Sequence, residues 1–315
     1  MSVEMDVLRL MVKGAYDLQA LRMQTGLRLC ANFRAKLKEN EPEADPDATP
    51  SDELSEDAQK LIDRLKSSYK LLTGVARNRT LPTEKGFTGD ELISSYSELV
   101  LVDQYLKLES QEATQFRQMQ AVLDKIPIYV EYLSKQIGIG PAMAGALLTT
   151  LNPHKARNIS SFWSYSGLDV ASDGYGRSRR QEHLVEREYQ NKEGKQATRL
   201  SVTYNPWLKT KLFVLATSFM RSGSSWRRVY DDYKHRLTTD PLRQKATVAE
   251  YKKRYKENPE QAKKLWTPGR IDMAAKRYML KIFLADFWVK WRTKEGLPVT
   301  APYAEDKQGR RPHAA

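Results

Sequence analysis

Residues 133–147 read Leu-Ser-Lys-Gln-Ile-Gly-Ile-Gly-Pro-Ala-Met-Ala-Gly-Ala-Leu, and this is the most informative stretch of the chain. Gly138 and Gly140 lie between two apolar runs, and Pro141 suits the first turn of a helix. One glycine can take a positive φ, and the other lets the backbone approach a ligand closely. The pattern predicts a helix-hairpin-helix in which Gly138, Ile139 and Gly140 bind a nucleic-acid phosphate. An ordinary helical connection with a glycine cap is the alternative.

The charge of the chain is distributed unevenly. The 315 residues carry a formal net charge of +13 at pH 7. Residues 1–125 hold 17 Lys and Arg against 21 Asp and Glu, a net of −4, whereas residues 126–315 hold 35 against 18, a net of +17. This asymmetry predicts a polyanionic partner for the second part, with DNA favoured and RNA as the alternative. A well-solvated basic surface without a partner is the other interpretation.

Composition narrows the class of protein. The apolar fraction of 40 % is typical of a soluble globular chain, and no run approaches the ~20 apolar residues that span a bilayer. The first ten residues contain three charged side chains, which is not the pattern of a signal peptide. Cys30 is the one cysteine, so we expect neither a disulfide framework nor a cysteine metal site, and the four histidines are scattered. These features predict a cytoplasmic protein without a membrane partner.

Hydrophobic periodicity predicts a mainly α fold. Alternating residues within 181–204 add a small β-hairpin. Leu99–Asp103 alone resembles a β-strand that ends in an acidic residue. The helical spacing of apolar residues on both sides argues against that strand. The N-terminal helices also suggest a homo-oligomer. The predicted segments are a helical arm (1–38), an acidic flexible linker (39–57), a helical hairpin or coiled coil (58–125), a basic domain containing the helix-hairpin-helix (126–300) and a loose tail (301–315).

The polar loop at residues 169–180, DVASDGYGRSRR, is the first candidate site. Asp169 and Asp173 are four residues apart, a spacing at which two carboxylates can bind a divalent metal. Ser172 lies near arginines that would stabilise its attack on a phosphodiester. The alternative is a surface loop whose arginines contact phosphate and whose serine has no catalytic role. The predicted nucleic-acid contacts in this loop are Arg177, Arg179 and Arg180.

A second candidate site is the region 221–278, in which basic and aromatic residues interleave. Lysine and arginine neutralise phosphates and give salt-dependent affinity. The rings either stack on unpaired bases or, as the helical spacing of Trp226, Tyr230 and Tyr233 favours, pack inward. The tryptophans of the last helix are expected in the core. The predicted contacts here are Arg227, Arg228, Lys252, Lys253 and Arg254.

Four short motifs follow one another along the chain: IGIGPAMAGALL at 137–148, FWSYSGL at 162–168, SDG at 172–174 and NPWLK at 205–209. Together they resemble the C-terminal half of the DEDD-type insertion-sequence transposases, relatives of the pilin invertases that recombine DNA with a guide RNA. The resemblance covers about residues 126–220. It implies that Ser172 is the nucleophile that joins DNA, with Asp173 standing where the family has a second serine.

The same family has a RuvC-like N-terminal domain that supplies four acidic metal ligands. Residues 1–125 show no strand–acid pattern of that kind. We therefore expect Mg²⁺ only if a separate RuvC-like protein takes part, and the sequence indicates no other cofactor.

The leading hypothesis is a DNA-binding protein that acts in transposition or site-specific recombination of a mobile element or phage. One alternative is an oligomeric protein that organises nucleic acid without chemistry. Another is an active, serine-dependent strand transferase that works with a separate metal-binding partner. The sequence leaves open whether the chain is an enzyme.

Overall fold

The computed structural model describes residues 3–39, 53–74 and 81–300. Within those ranges the fold is mainly helical, with eleven α-helices and one two-stranded antiparallel sheet, as predicted. The predicted linker lies mostly, and the predicted tail entirely, outside the described residues. The chain forms two compact units, Met1–Val122 and Leu123–Ala315. None of the described helices combines the length and the apolarity that a membrane crossing requires.

The first unit is built on three long helices: α1 (Val3–Leu37), α2 (Glu56–Thr73) and α3 (Tyr96–Leu123). Ser55 caps α2, because its side chain accepts a hydrogen bond from the Ala58 N–H at 3.3 Å. Leu99–Asp103 belongs to α3, as its helical phase predicts. The buried Tyr69 hydroxyl donates to Asp103 Oδ1 at 2.7 Å and joins α2 to α3. Arg22 pairs with Glu112 and joins α1 to α3.

The second unit contains the remaining helices and the sheet. Its elements in order are α4 (Pro127–Glu131), a 3-10 helix (Leu133–Lys135), α5 (Pro141–Thr150), α6 (Ile159–Tyr165), a 3-10 helix (Gln181–His183), β1 (Val185–Gln190), β2 (Gln196–Ser201), α7 (Pro206–Arg221), α8 (Trp226–Thr239), α9 (Val248–Glu257), α10 (Pro259–Ala262) and α11 (Pro268–Lys294). Asn205 caps α7 by accepting from the Leu208 N–H at 3.1 Å, and Pro206 occupies the first helical position.

Helix α11 is the centre of the second unit and packs against α4, α6, α7 and α8. Its tryptophans Trp288 and Trp291 are buried, as predicted. The Trp288 indole N–H donates to the Ala156 carbonyl at 2.9 Å, which ties α11 to the segment before α6. Trp226 and Tyr230 of α8 are also buried, so the inward interpretation of these two rings is confirmed.

The glycine turn is half-buried against the end of α7. Gly138 has φ +96°, and an added Cβ would lie 2.8 Å from Ser222 Oγ. The Gly138 carbonyl accepts from Ser218 Oγ at 2.7 Å, and the Ile139 N–H donates to the Gln136 carbonyl. The limb before the turn consists of the five-residue α4 and a separate 3-10 helix. The helix-hairpin-helix is therefore not confirmed, and packing on α7 already explains the glycine at 138.

Candidate anion-binding site

The loop that follows α6 folds back on itself as a small hairpin. Val170 and Gly176 form an antiparallel bridge, and the Arg177 N–H donates to the Asp169 carbonyl at 3.1 Å. The loop turns at Gly174, whose φ is +78°. Ser172 is exposed in this turn, and among the described residues its side chain has no hydrogen-bond partner. The loop thus holds Asp169 and Arg177 side by side at its base.

Helix α11 presents a stripe of cations to this loop. Arg270, Arg277 and Lys281 are spaced by seven and four residues, which places them on one helix face, with the small Ala274 between the two arginines. The Arg277 guanidinium lies directly against the Gly176 backbone, where an added Cβ would overlap it. A side chain at position 176 would displace this guanidinium from its place against the loop.

Asp169 is the centre of a charged group that we call the Asp169 cluster, made of Asp169, Arg177, Lys209, Arg277 and Lys281. Arg177 Nε donates to Asp169 Oδ2 at 2.8 Å. The charge of Asp169 also acts on Lys209, Arg277 and Lys281, each of which is half-buried. One carboxylate thus faces four cations, so the cluster carries an excess of positive charge.

Burial, together with the excess of positive charge, lowers the pKa values of cations in the cluster. Burial, and then the charge of Arg277, lowers the pKa of Lys209 to about 8, while Asp169 opposes the change. The same causes in the same order lower the pKa of Lys281. Burial and the charge of Arg270 lower the pKa of Arg277. Half-buried cations with too few counter-charges are stabilised by an added anion, so the cluster favours anion binding.

A pocket of about 380 Å³ opens beside the cluster and shares Arg277 with it. Arginines and aromatic rings alternate along the pocket and, with Arg243, just beyond its lining. Arg180 and Arg270 lie over the Tyr175 ring at 4.8 and 4.7 Å from its centroid. Arg270 and Arg243 lie over the Trp266 ring at 4.3 and 4.2 Å. We call this series, Arg180–Tyr175–Arg270–Trp266–Arg243, the arginine stack.

The arginine stack is held by main-chain carbonyls. Arg270 Nη1 donates to the carbonyls of Lys263 and Leu265 at 2.5 and 2.8 Å, and the Tyr175 hydroxyl donates to the Lys263 carbonyl at 2.5 Å. Burial lowers the pKa of Arg270. Guanidinium groups held in one geometry lose little entropy when they bind an anion.

Ser178 lines the same pocket and is the first group of a hydroxyl–imidazole–carboxylate chain. Ser178 Oγ lies 3.0 Å from His183 Nδ1, and His183 Nε2 lies 2.8 Å from Asp173 Oδ2. The Ser178 N–H also donates to Nδ1 at 3.0 Å, so Nδ1 is the bare nitrogen and Nε2 carries the proton donated to Asp173. The Tyr175 N–H, and then His183, hold the pKa of Asp173 below its usual value.

The predicted site residues do not all gather at the pocket. Asp169 pairs with Arg177, and Asp173 pairs with His183. Within the described ranges, no group of three or more acidic, histidine or cysteine side chains is placed to hold a metal. Arg180 lines the pocket and Arg179 is exposed next to it.

The cations of region 221–278 lie on two helices. Arg227 and Arg228 form exposed ion pairs with Asp231 and Asp232 one turn along α8. Lys252, Lys253 and Arg254 are exposed on α9, directly after Tyr251, which lines the pocket.

Lys209 and Lys281 are site residues that the sequence predictions did not name as contacts, whereas Arg270 and Arg277 lie within the predicted basic region 221–278. A usable signal existed on α11, where cations recur at positions 270, 277 and 281 on one helix face. Lys209 ends the NPWLK motif at 205–209, but its position beside Asp169 depends on how α7 packs and cannot be read from that motif.

Comparison of the chain with protein-family models, with curated proteins and with solved structures yields no match.

Proposed function

We propose that the second unit binds DNA through the phosphate backbone, with the Asp169 cluster and the arginine stack as its central contact. The observation that carries the proposal is the set of four half-buried cations that share one carboxylate. A phosphate group supplies the missing negative charge and accepts the hydrogen bonds of guanidinium and ammonium groups.

A polyanion suits the surroundings of the pocket better than a small anion does. Residues 126–315 carry a net charge of +17, and exposed cations continue from the pocket along α9 at Lys252, Lys253 and Arg254. Extended basic surfaces of this kind bind nucleic acid by releasing counterions. The transposase resemblance of residues 126–220 is our reason for choosing DNA over RNA, and for placing the binding within transposition or recombination.

DNA affinity is expected to fall as the pH rises above about 8. Lys209 loses its proton near that pH in the free protein, whereas a bound phosphate favours the charged amine, so binding above pH 8 takes up a proton. Because binding takes up a single proton, DNA affinity can fall by at most about tenfold per pH unit. The measurement is fluorescence anisotropy of a labelled duplex between pH 7 and 9.

The Lys209→Arg variant is the matched control, because arginine stays charged throughout that range. Its affinity should be nearly constant with pH. An equal fall in both proteins would assign the pH dependence to another group. No binding by the parent at pH 7 and about 50 mM salt would contradict the proposed function itself.

A second candidate function, serine-dependent strand transfer, is favoured by the Ser178–His183–Asp173 chain. Here Ser178 Oγ attacks a phosphodiester phosphorus, the Oγ–P bond forms and the bond from phosphorus to the leaving sugar oxygen breaks. The Oγ proton passes to His183 Nδ1, and the leaving oxygen takes a proton from solvent. Arg180 and Arg270 line the same pocket, where they stabilise the charge that develops on the phosphate. This geometry favours Ser178 over Ser172, which lacks a base.

A further inference from the structure

The β-hairpin formed by β1 and β2 has two faces of opposite charge. Directly opposed residues share a face, and the pairs Val185–Ser201, Arg187–Arg199 and Tyr189–Ala197 therefore make one face. Glu186, Glu188 and Gln190, opposite Leu200, Thr198 and Gln196, make the other. We call the first the arginine face and the second the glutamate face.

The arginine face contains a pairing that the hairpin alone does not explain. Arg187 and Arg199 lie directly opposite each other, and like charges in this position destabilise a sheet. Both are exposed, and neither forms an ion pair within the described residues. Arg199 lies 5.0 Å from the Tyr189 ring centroid. The pair therefore concentrates positive charge at one place on the surface.

Most residues of the hairpin are also exposed to solvent. Every residue of β1 is exposed, and so are four of the six residues of β2. A two-stranded hairpin with both faces in water is marginally stable by itself. An anionic partner on the arginine face would relieve the repulsion between Arg187 and Arg199 and cover the Tyr189 ring.

We propose that the arginine face of this hairpin docks on duplex DNA, with Arg187 and Arg199 contacting phosphates and the glutamate face turned away. This inference rests on the proposed function and names a second contact outside the Asp169 cluster. A two-stranded ribbon is one of the few elements that the major groove admits, which favours a duplex over a single strand. The glutamate face repels phosphate, so docking has one orientation.

The first test replaces both arginines, as Arg187→Gln/Arg199→Gln, in the full chain and measures duplex binding against salt. Each lost phosphate contact lowers the slope of log affinity against log salt by about 0.9, so the slope should fall by about 1.8 and binding at 0.1 M salt by roughly 10- to 100-fold. The control, Glu186→Gln/Glu188→Gln, should bind at least as tightly as the parent. Unchanged binding by the arginine variant would overturn the docking proposal.

The second test locates the contact. Cys30 is buried and is the one cysteine of the chain, so Tyr189→Cys and Glu188→Cys can each carry a photoreactive label. These neighbours lie on opposite faces, and the label at 189 should crosslink to DNA in large excess over the label at 188. Equal crosslinking would overturn the proposal, and so would crosslinking to a second copy of the chain.

The two proposals fail in different ways. Loss of binding in Arg277→Met/Lys281→Met together with parental binding in Arg187→Gln/Arg199→Gln would overturn the hairpin docking and leave the proposed function standing. Stronger binding to a single strand than to the duplex would overturn the docking alone. No duplex binding by the parent at about 50 mM salt would overturn both.

Discussion

The double substitution Arg277→Met/Lys281→Met is expected to weaken DNA binding while leaving the protein as stable as the parent, or more stable. Two phosphate contacts are lost, which corresponds to roughly 10- to 100-fold weaker binding at 0.1 M salt. Stability should not fall, because methionine has a similar length and removes two half-buried cations whose pKa values are lowered by burial. Weaker binding together with unchanged or higher stability is typical of substitutions in a binding site and not of substitutions in a structural core.

Anisotropy and thermal unfolding of the same samples measure the two effects. The matched control is Lys155→Met/Lys290→Met, which removes the same charge from exposed positions of the second unit. If the control loses as much affinity as the cluster variant, net charge and not the Asp169 cluster determines binding. A large loss of stability in the cluster variant would show that its cations serve the fold.

The Ser178→Ala substitution is expected to abolish a covalent protein–DNA adduct if the second unit performs strand transfer. Alanine removes the only atom that forms the bond to phosphorus, so the adduct should fall to background, a larger effect than the 10²- to 10⁴-fold of a lost general base. The measurement is a denaturing gel of labelled DNA incubated with the protein, with Mg²⁺ and a RuvC-like partner supplied. His183→Gln should slow adduct formation without abolishing it.

Ser172→Ala is the matched control for this experiment, because Ser172 lies in the same loop and is exposed without a base. It should form the adduct at the parental rate. An adduct that disappears with Ser172→Ala and persists with Ser178→Ala would contradict the geometric assignment and support the one implied by the family resemblance. DNA binding should be unchanged in both variants, since neither removes a charge.

Local signals in the sequence predicted the elements of this fold well. Pro141 occupies the first turn of α5, and Leu99–Asp103 lies in α3, as the sequence predicts. Alternation within 181–204 marked the β-hairpin. These predictions hold because proline position, helical phase and side-chain alternation depend on neighbours only a few residues away.

The candidate site was harder to predict, because its residues meet only in the folded chain. Arg177 lies in a loop, Lys209 in α7 and Arg277 in α11. They form a site only because the fold brings them together beside Asp169. The choice between Ser172 and Ser178 depends on where His183 lies after the loop turns at Gly174. Sequence reasoning centred the second unit on the motif around Gly138, whereas in the structure that glycine packs on α7 and the cations of the Asp169 cluster gather around the loop at 169–180.

The most direct test of the central claim is a salt titration of duplex DNA binding by the intact protein at pH 7. If phosphates complete the Asp169 cluster and its basic surroundings, log affinity should fall linearly with log salt, with a slope of several units at about 0.9 per contact. A flat titration, or no binding at low salt, would contradict the account.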